Sequence, residues 1–149
     1  MEVLALLKDN TRTVHTIASS RSVEDAICLM ADHNVRALLV TEDDQPAGIF
    51  CERDVHHTYL RTKSTAFSEI ALENVMTRNL VVAEPQDAVP EVIARMVAAN
   101  TMYLPVIAEK RIFGMLTLMD LMKHQIEALV DEIQQLNDYI DDLHDAGQY

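Results

Sequence analysis

Two heptapeptides hold the residue types in this chain with the most chemistry to offer. Gly114-Met115-Leu116-Thr117-Leu118-Met119-Asp120 sets a glycine, an apolar pair, a hydroxyl and a carboxylate in order, and Gly48-Ile49-Phe50-Cys51-Glu52-Arg53-Asp54 repeats that order with a thiol for the hydroxyl. Each falls where a short apolar strand runs into a helix. A glycine there lets the backbone approach a neighbour or a ligand closely. A hydroxyl just beyond the strand can donate to a phosphate oxygen, and the N-terminus of the helix adds backbone donors and a favourable dipole. The carboxylate lies one helical turn further and is suited to accept both hydroxyls of a ribose. The same residues also serve local structure, the Asp as a helix cap and the Thr as its backbone partner.

Other reactive groups form no comparable pattern. Cys51, Asp54, His56 and His57 lie close in sequence, but the adjacent histidines point to different helix faces and no Cys/His pair has ligand spacing. They read as two solvated histidines at a helix end, with no metal site and no catalytic nucleophile. Cys28 and Cys51 make no disulfide framework, which fits a reducing compartment.

The elements that must position the heptapeptides are themselves repeated. Residues 14 to 55 overlay residues 80 to 121 without a gap, matching Val23 with Val89, Ile27 with Ile93, Met30 with Met96, Asn34 with Asn100, Leu38 with Leu104 and Val40 with Val106. In the first copy, Thr13 to Ile17 is β-prone. Ser22 with Asp25 three residues on starts a helix whose Val23, Ala26, Ile27, Met30 and Ala31 form a buried stripe. Ala37 to Val40 reads as a strand covered on both faces, an acidic turn follows, and Ala47 to Phe50 returns before a helix over about Glu52 to Leu60. In the second copy, Leu80-Val81-Val82 is the first strand. Asp87 can cap the next helix, Pro90 falls in its first turn, and Val89, Val92, Ile93, Met96 and Val97 form its stripe. Tyr103 to Ile107 and Ile112 to Leu116 are paired strands, with Pro105 placed where no ladder donor is needed. The methionines, among them Met30, Met96, Met115, Met119 and Met122, read as fillers of an irregular core. Near the start, residues 3 to 7 are apolar and suit a short helix or turn before a polar linker.

This duplication, with its glycine-apolar-apolar-(Thr/Ser)-x-x-Asp signature, resembles a tandem pair of CBS domains, a regulatory nucleotide-sensing module. The signature is complete at Gly114 to Asp120 and altered only at Cys51 in the first copy. The resemblance implies an α/β (α+β) fold of two repeated β-α-β-β-α CBS units packed with pseudo-two-fold symmetry, and the run without Gly or Pro from Met115 to Ala146 adds a long C-terminal helix. The units fall at 10–60 and 70–123, with a linker at 61–69 and the helix at 124–149. It further implies that Asp120 and Asp54 hold a ribose, that Thr117 and Cys51 face phosphate, and that Gly114 and Gly48 flank an adenine. Arg36, His15 and Thr16 complete the Asp120 site; Met102, Val81 and Val82 complete the Asp54 site, where Arg53 is the nearby cation. The expected ligand is an adenine nucleotide or adenosine derivative, AMP, ADP, ATP, NAD or S-adenosylmethionine (SAM), as a regulatory ligand and not a required cofactor. The Asp120 site is expected to be the better of the two, because a thiol is a weaker donor than a hydroxyl.

A formal net charge of −12 argues against an extended nucleic-acid or anionic-membrane surface, since either needs a basic footprint. No apolar run approaches the ~20 residues of a membrane span, and the N-terminal residues lack a leader pattern. The expectation is a cytoplasmic, stand-alone regulatory protein that is not an enzyme and acts on a partner in trans by a change of shape. The alternative is a ligand-free assembly module. The C-terminal region bears on that alternative, because Ile126, Ile133 and Ile140 alternate with Leu129, Leu136 and Leu143 in steps of three and four. Isoleucine at a and leucine at d is the seam of a parallel two-stranded coiled coil, so a homodimer is expected, the alternative being that the stripe folds back on its own domain.

Overall fold

The computed structural model describes residues 1–9 and 14–147. The expected boundary at residue 10, the strand start at Thr13 and the last two residues of the terminal segment lie outside these. The first unit runs β1 (Thr16–Ala18), α2 (Val23–His33), β2 (Ala37–Glu42), β3 (Gln45–Cys51) and α3 (Glu52–Thr62), preceded by a short helix α1 (Val3–Asp9). The second runs α4 (Val89–Ala99), β4 (Tyr103–Ala108), β5 (Arg111–Thr117) and α5 (Leu118–Asp145). Both units therefore keep the β-α-β-β-α order, apart from the first strand of the second.

The duplication extends to the details of the backbone. Asn34 and Asn100 end α2 and α4 in the left-handed conformation. The hairpins turn on Asp43-Asp44 and Glu109-Lys110, all with positive φ, and this primed geometry matches the twist of the flanking strands. The register of each hairpin shifts at the same place, between Val40 and Thr41 and between Val106 and Ile107. Ser22 and Asp25 form the expected capping box at the start of α2. Asp87 does not cap α4: its carboxylate accepts the Glu84 N–H at 3.0 Å and the Arg95 guanidinium at 2.8 Å, leaving Ala88 at the cap.

The expected strand Leu80-Val81-Val82 is absent, and a single parallel bridge joins Ala83 to Val106. Proline chemistry explains the loss. In the first unit, β1 pairs with β2 over three residues, and the Leu39 N–H to His15 O and Ser19 N–H to Thr41 O bonds close the ends of this ladder. The matching donors in the second unit would be Pro105 and Pro85, which have no N–H. What survives is Ala83 N–H to Pro105 O at 3.0 Å and Ile107 N–H to Ala83 O at 2.8 Å. Pro105 is tolerated because its missing donor faces this neighbour and not β5.

Packing divides into three clusters. Ile17, Val23, Ala26, Met30, Leu38 and Phe50 form the first unit's core, completed by Leu72, Val75 and Met76, from the stretch expected to open the second unit. Val89, Val92, Met96, Leu104, Val106, Leu116 and Leu121 form the second core, completed by Val3 of α1. Each unit thus takes in the segment that precedes the other. Between the sheets lies a third cluster, in which Leu39, Ile49 and Cys51 face Tyr103, Ile112 and Met115. Alternation along β2 produces this: Leu38 and Val40 point to their own helix and Leu39 to the other unit, so the run is covered on both faces.

Four side chains expected inside lie outside the cores, among them Ala31, which α2 leaves exposed. Val97 is 61% exposed, because α4 turns it past the edge of the core. Met30 and Met96 do fill the cores, whereas Met119 and Met122 are 69% and 42% exposed on α5. Leu121 is the residue of that first α5 turn that is buried.

Candidate functional site

Two clefts open at the ends of the inter-unit interface, each beside one heptapeptide. At the C-terminal end of β5 the chain enters α5 through Thr117, whose hydroxyl accepts the Asp120 N–H at 3.1 Å while Asp120 Oδ2 accepts the Thr117 N–H at 3.0 Å. This reciprocal cap fixes both side chains at the helix N-terminus. They line a cleft of about 610 Å³ with His15, Asn34, Arg36, Met102, Tyr103 and Met119 among its other walls. That volume lies within the roughly 300–1,000 Å³ of small-molecule sites. His15 stacks on His33, ring centroids 4.0 Å apart, and burial, then the neighbouring His33, push its imidazole below the ordinary value. Burial also pushes the Tyr103 phenol up, so it is an O–H donor at neutral pH.

The opposite cleft is smaller, about 230 Å³, and is lined by Cys51, Arg53, Asp54, Thr77, Asn79, Val81 and Met102 among others. Its carboxylate is already engaged. Asp54 Oδ2 accepts the Cys51 N–H at 2.9 Å and the Cys51 thiol at 3.3 Å, and Oδ1 accepts the Thr77 hydroxyl at 3.1 Å. Burial, then the nearby Asp54 charge, raise the Cys51 thiol above its ordinary range. That is the reverse of what a nucleophilic cysteine needs. His56 and His57 are exposed on α3.

The expected site residues are therefore only partly brought together. Asp120, Thr117, Arg36 and His15 share one cleft; Asp54, Cys51, Arg53, Met102 and Val81 share the other. Thr16 faces a separate groove with Arg21 and Cys28, and Val82 lies outside both clefts. The glycines also lie outside them, because each is where the lead-in of one unit crosses a strand of the other. A Cβ on Gly48 would stand 2.7 Å from the Thr77 carbonyl oxygen, and one on Gly114 would stand 2.6 Å from Leu7 Cδ2. Arg36 and Met102 were each expected in one site, yet both line both clefts, as does Tyr103. The signal for Tyr103 was available, since it follows Met102 directly and the repeat pairs Met102 with Arg36. Thr77 carried no such signal, because only the crossing of the chain between units brings it to Asp54.

Comparison with known proteins converges on one family. The CBS domain pattern matches residues 7–60 and 72–127. The mitochondrial CBS domain-containing protein CBSX3 of Arabidopsis thaliana is 32% identical over 130 residues, 80% of this chain and 60% of its own length. A homoserine O-acetyltransferase of Methanosalsum zhilinae is 29% identical over 99 residues, 66% of this chain but 19% of the enzyme, so the chain spans only part of these relatives. Among solved structures, a protein with CBS domains from Burkholderia ambifaria MC40-6 superposes with a TM-score of 0.76 at 32% identity, covering 85% of this chain and 95% of that one. The CBS domain pair of protein MJ0100, solved with 5'-methylthioadenosine and S-adenosyl-L-methionine, has the same fold, with a TM-score of 0.72 at 22% identity over 86% of this chain and 98% of that one.

Proposed function

The chain belongs to the CBS-domain family as a tandem pair, and from that premise we propose that it is a regulatory module binding an adenosine-type ligand, of the AMP, ADP, ATP, NAD or SAM kind, in the Asp120 cleft. The observation that carries this reading is the juxtaposition, in one cleft of about 610 Å³, of a carboxylate and a hydroxyl held at a helix N-terminus with Arg36 and His15. The carboxylate suits a ribose diol, and the hydroxyl and helix end suit a phosphate. Tyr103 and Met102 supply flat and pliable apolar wall for a base. The Asp54 cleft is the weaker site, being smaller and offering a thiol where the Asp120 cleft offers a hydroxyl. Binding would shift the two units about their shared interface and pass that change to a partner. We assign no catalytic role, given a Cys51 thiol held in its neutral form. No described helix is long and apolar enough to cross a membrane, and a cytoplasmic setting is part of the proposal.

A thermal-shift panel of AMP, ADP, ATP, NAD and SAM tests this directly. A ligand at a hundred times its dissociation constant stabilises the fold by about 2.7 kcal/mol. A clear upward shift with at least one of them is expected; no shift with any at millimolar concentration would sink the proposal. That outcome would favour the second reading, a ligand-free assembly module, for which the exposed apolar face of α5 is the specific observation.

A further inference from the structure

Helix α5 is far longer than its domain needs. Its 28 residues span about 42 Å, yet only its first turns rest on the second unit, through the buried Leu121 and the half-buried His124, Gln125 and Ala128. Every residue from 131 to 142 is exposed. Among the described residues, the helix does not fold back on its own chain. Its exposed part nevertheless carries the side chains of an interior: Ile126, Leu129, Ile133, Leu136 and Ile140 are 48–61% exposed, while Leu38, Leu72 and Leu104 are fully buried. Most of a helix's stability in a protein comes from packing its amphipathic face, and residues 131–142 pack on nothing among the described residues. Something must cover the stripe.

We propose that the cover is α5 of a second copy, in a parallel two-stranded coiled coil whose seam begins at the mouth of the Asp120 cleft. The exposed Met119 and Met122 fall at the a and d positions preceding Ile126 and Leu129, which adds a heptad and continues the seam into the domain. Ile at a with Leu at d is the pattern of a parallel pair. The flanking positions agree on orientation. In the parallel register Gln125 of one copy faces Val130 of the other, Glu132 faces Asn137, and Tyr139 faces His144, so no like charges meet. An antiparallel pairing about the seam's midpoint would set Glu132 against the Glu132 of the other copy. The remaining six acids of residues 124–149 lie at outward positions, where they select no basic partner along the seam. The occupant with the matching pattern is therefore the chain itself.

The test is sedimentation velocity of the full chain at micromolar concentration, together with directed cross-linking. The expected species is a dimer of twice the 16.8 kDa chain, and Ile133→Asp with Leu136→Asp should weaken self-association at least a hundredfold. Both positions lie beyond the packed turns of α5, and an unchanged near-ultraviolet spectrum and melting of the CBS units would show that the double variant folds. In a Cys28→Ser background, Leu136→Cys should form a disulfide with its own counterpart under mild oxidation. It should form none with a copy carrying Ile126→Cys. A monomeric wild type, a dimer unmoved by the double variant, or cross-linking of 136 to 126 in place of 136 to 136 would each overturn the proposal. None of these readouts depends on whether the clefts bind a ligand.

Discussion

The carboxylates Asp120 and Asp54 cap their helices in the same way, each accepting the N–H of the residue three positions back. Replacing either by Ala removes the N3 half of a capping box, and Asp54→Ala also removes the bonds from the Cys51 thiol and Thr77, so melting of both variants is measured beside binding. Calorimetric titration with AMP should show at least a tenfold loss for Asp120→Ala, because hydrogen bonds to a charged group are worth roughly 1.5–3 kcal/mol, and a smaller loss for Asp54→Ala. The reverse order would exchange the sites. Arg36 on the shared wall of the two clefts is the cation available to phosphate in the larger one. Arg36→Met should therefore cost more affinity for AMP than for adenosine, and equal losses would remove Arg36 from phosphate recognition. His15 offers a third reading by NMR titration. Its pKa should lie below 6.5, burial being the larger cause, and His33→Asn should raise it only part of the way. The sign for stability follows, because between the lowered folded pKa and 6.5 the unfolded chain binds more protons. The His15 contribution thus weakens the fold as pH falls through that window.

At the level of elements, the two units look alike in sequence but tolerate change differently where the lead-in segments cross the strands. An alanine at Gly114 meets the end of the Leu7 side chain, which can turn aside. An alanine at Gly48 meets the Thr77 carbonyl oxygen and the Met76 sulfur, and the carbonyl is held by the Ile49 to Thr77 bridge. Gly48→Ala should destabilise by about 1–3 kcal/mol, the usual cost of overpacking, and Gly114→Ala by less. Chemical denaturation of the two variants would show it, and equal midpoints would contradict the crossing geometry. The prolines work in the other direction. Pro85 and Pro105 remove the donors that would extend the ladder past Ala83. Amides at residues 80–82 should accordingly exchange with solvent faster than those of β1.

For the molecule as a whole, the cleft and the seam meet on one residue. Met119 lines the Asp120 cleft and stands at the first a position of the proposed seam, one residue before the carboxylate. A ligand that moves the first turn of α5 must then alter the pairing of two copies, and by linkage pairing must alter ligand affinity by the same factor. Saturating AMP should change the dimer dissociation constant, measured by sedimentation, by a factor on the order of 5 or more. Ile133→Asp with Leu136→Asp should change AMP affinity below the dimer constant by no more than the wild-type monomer shows. A dimer constant indifferent to AMP, in a protein that binds AMP, would uncouple the two.

Repetition made much of this legible in sequence. Because the side-chain period of strands and helices survives duplication, the overlay of Val23 with Val89, Met30 with Met96 and Val40 with Val106 defined both cores and the junctions that hold Thr117, Asp120 and Asp54. The capping box at Ser22 and the length of α5 were likewise local properties, set by hydrogen-bonding residues and by the absence of glycine and proline. What depended on contacts between distant segments was decided only in three dimensions. The exchange of Val3 and Leu72 between units, the placing of Gly48 and Gly114 at crossings and not in a cleft, and the engagement of Asp54 by Thr77 all arise where two stretches meet that no periodicity relates. Exposure follows the same rule: a methionine at helical spacing fits a core or a seam equally well, and only the position of the neighbouring unit leaves Met119 and Met122 facing outward.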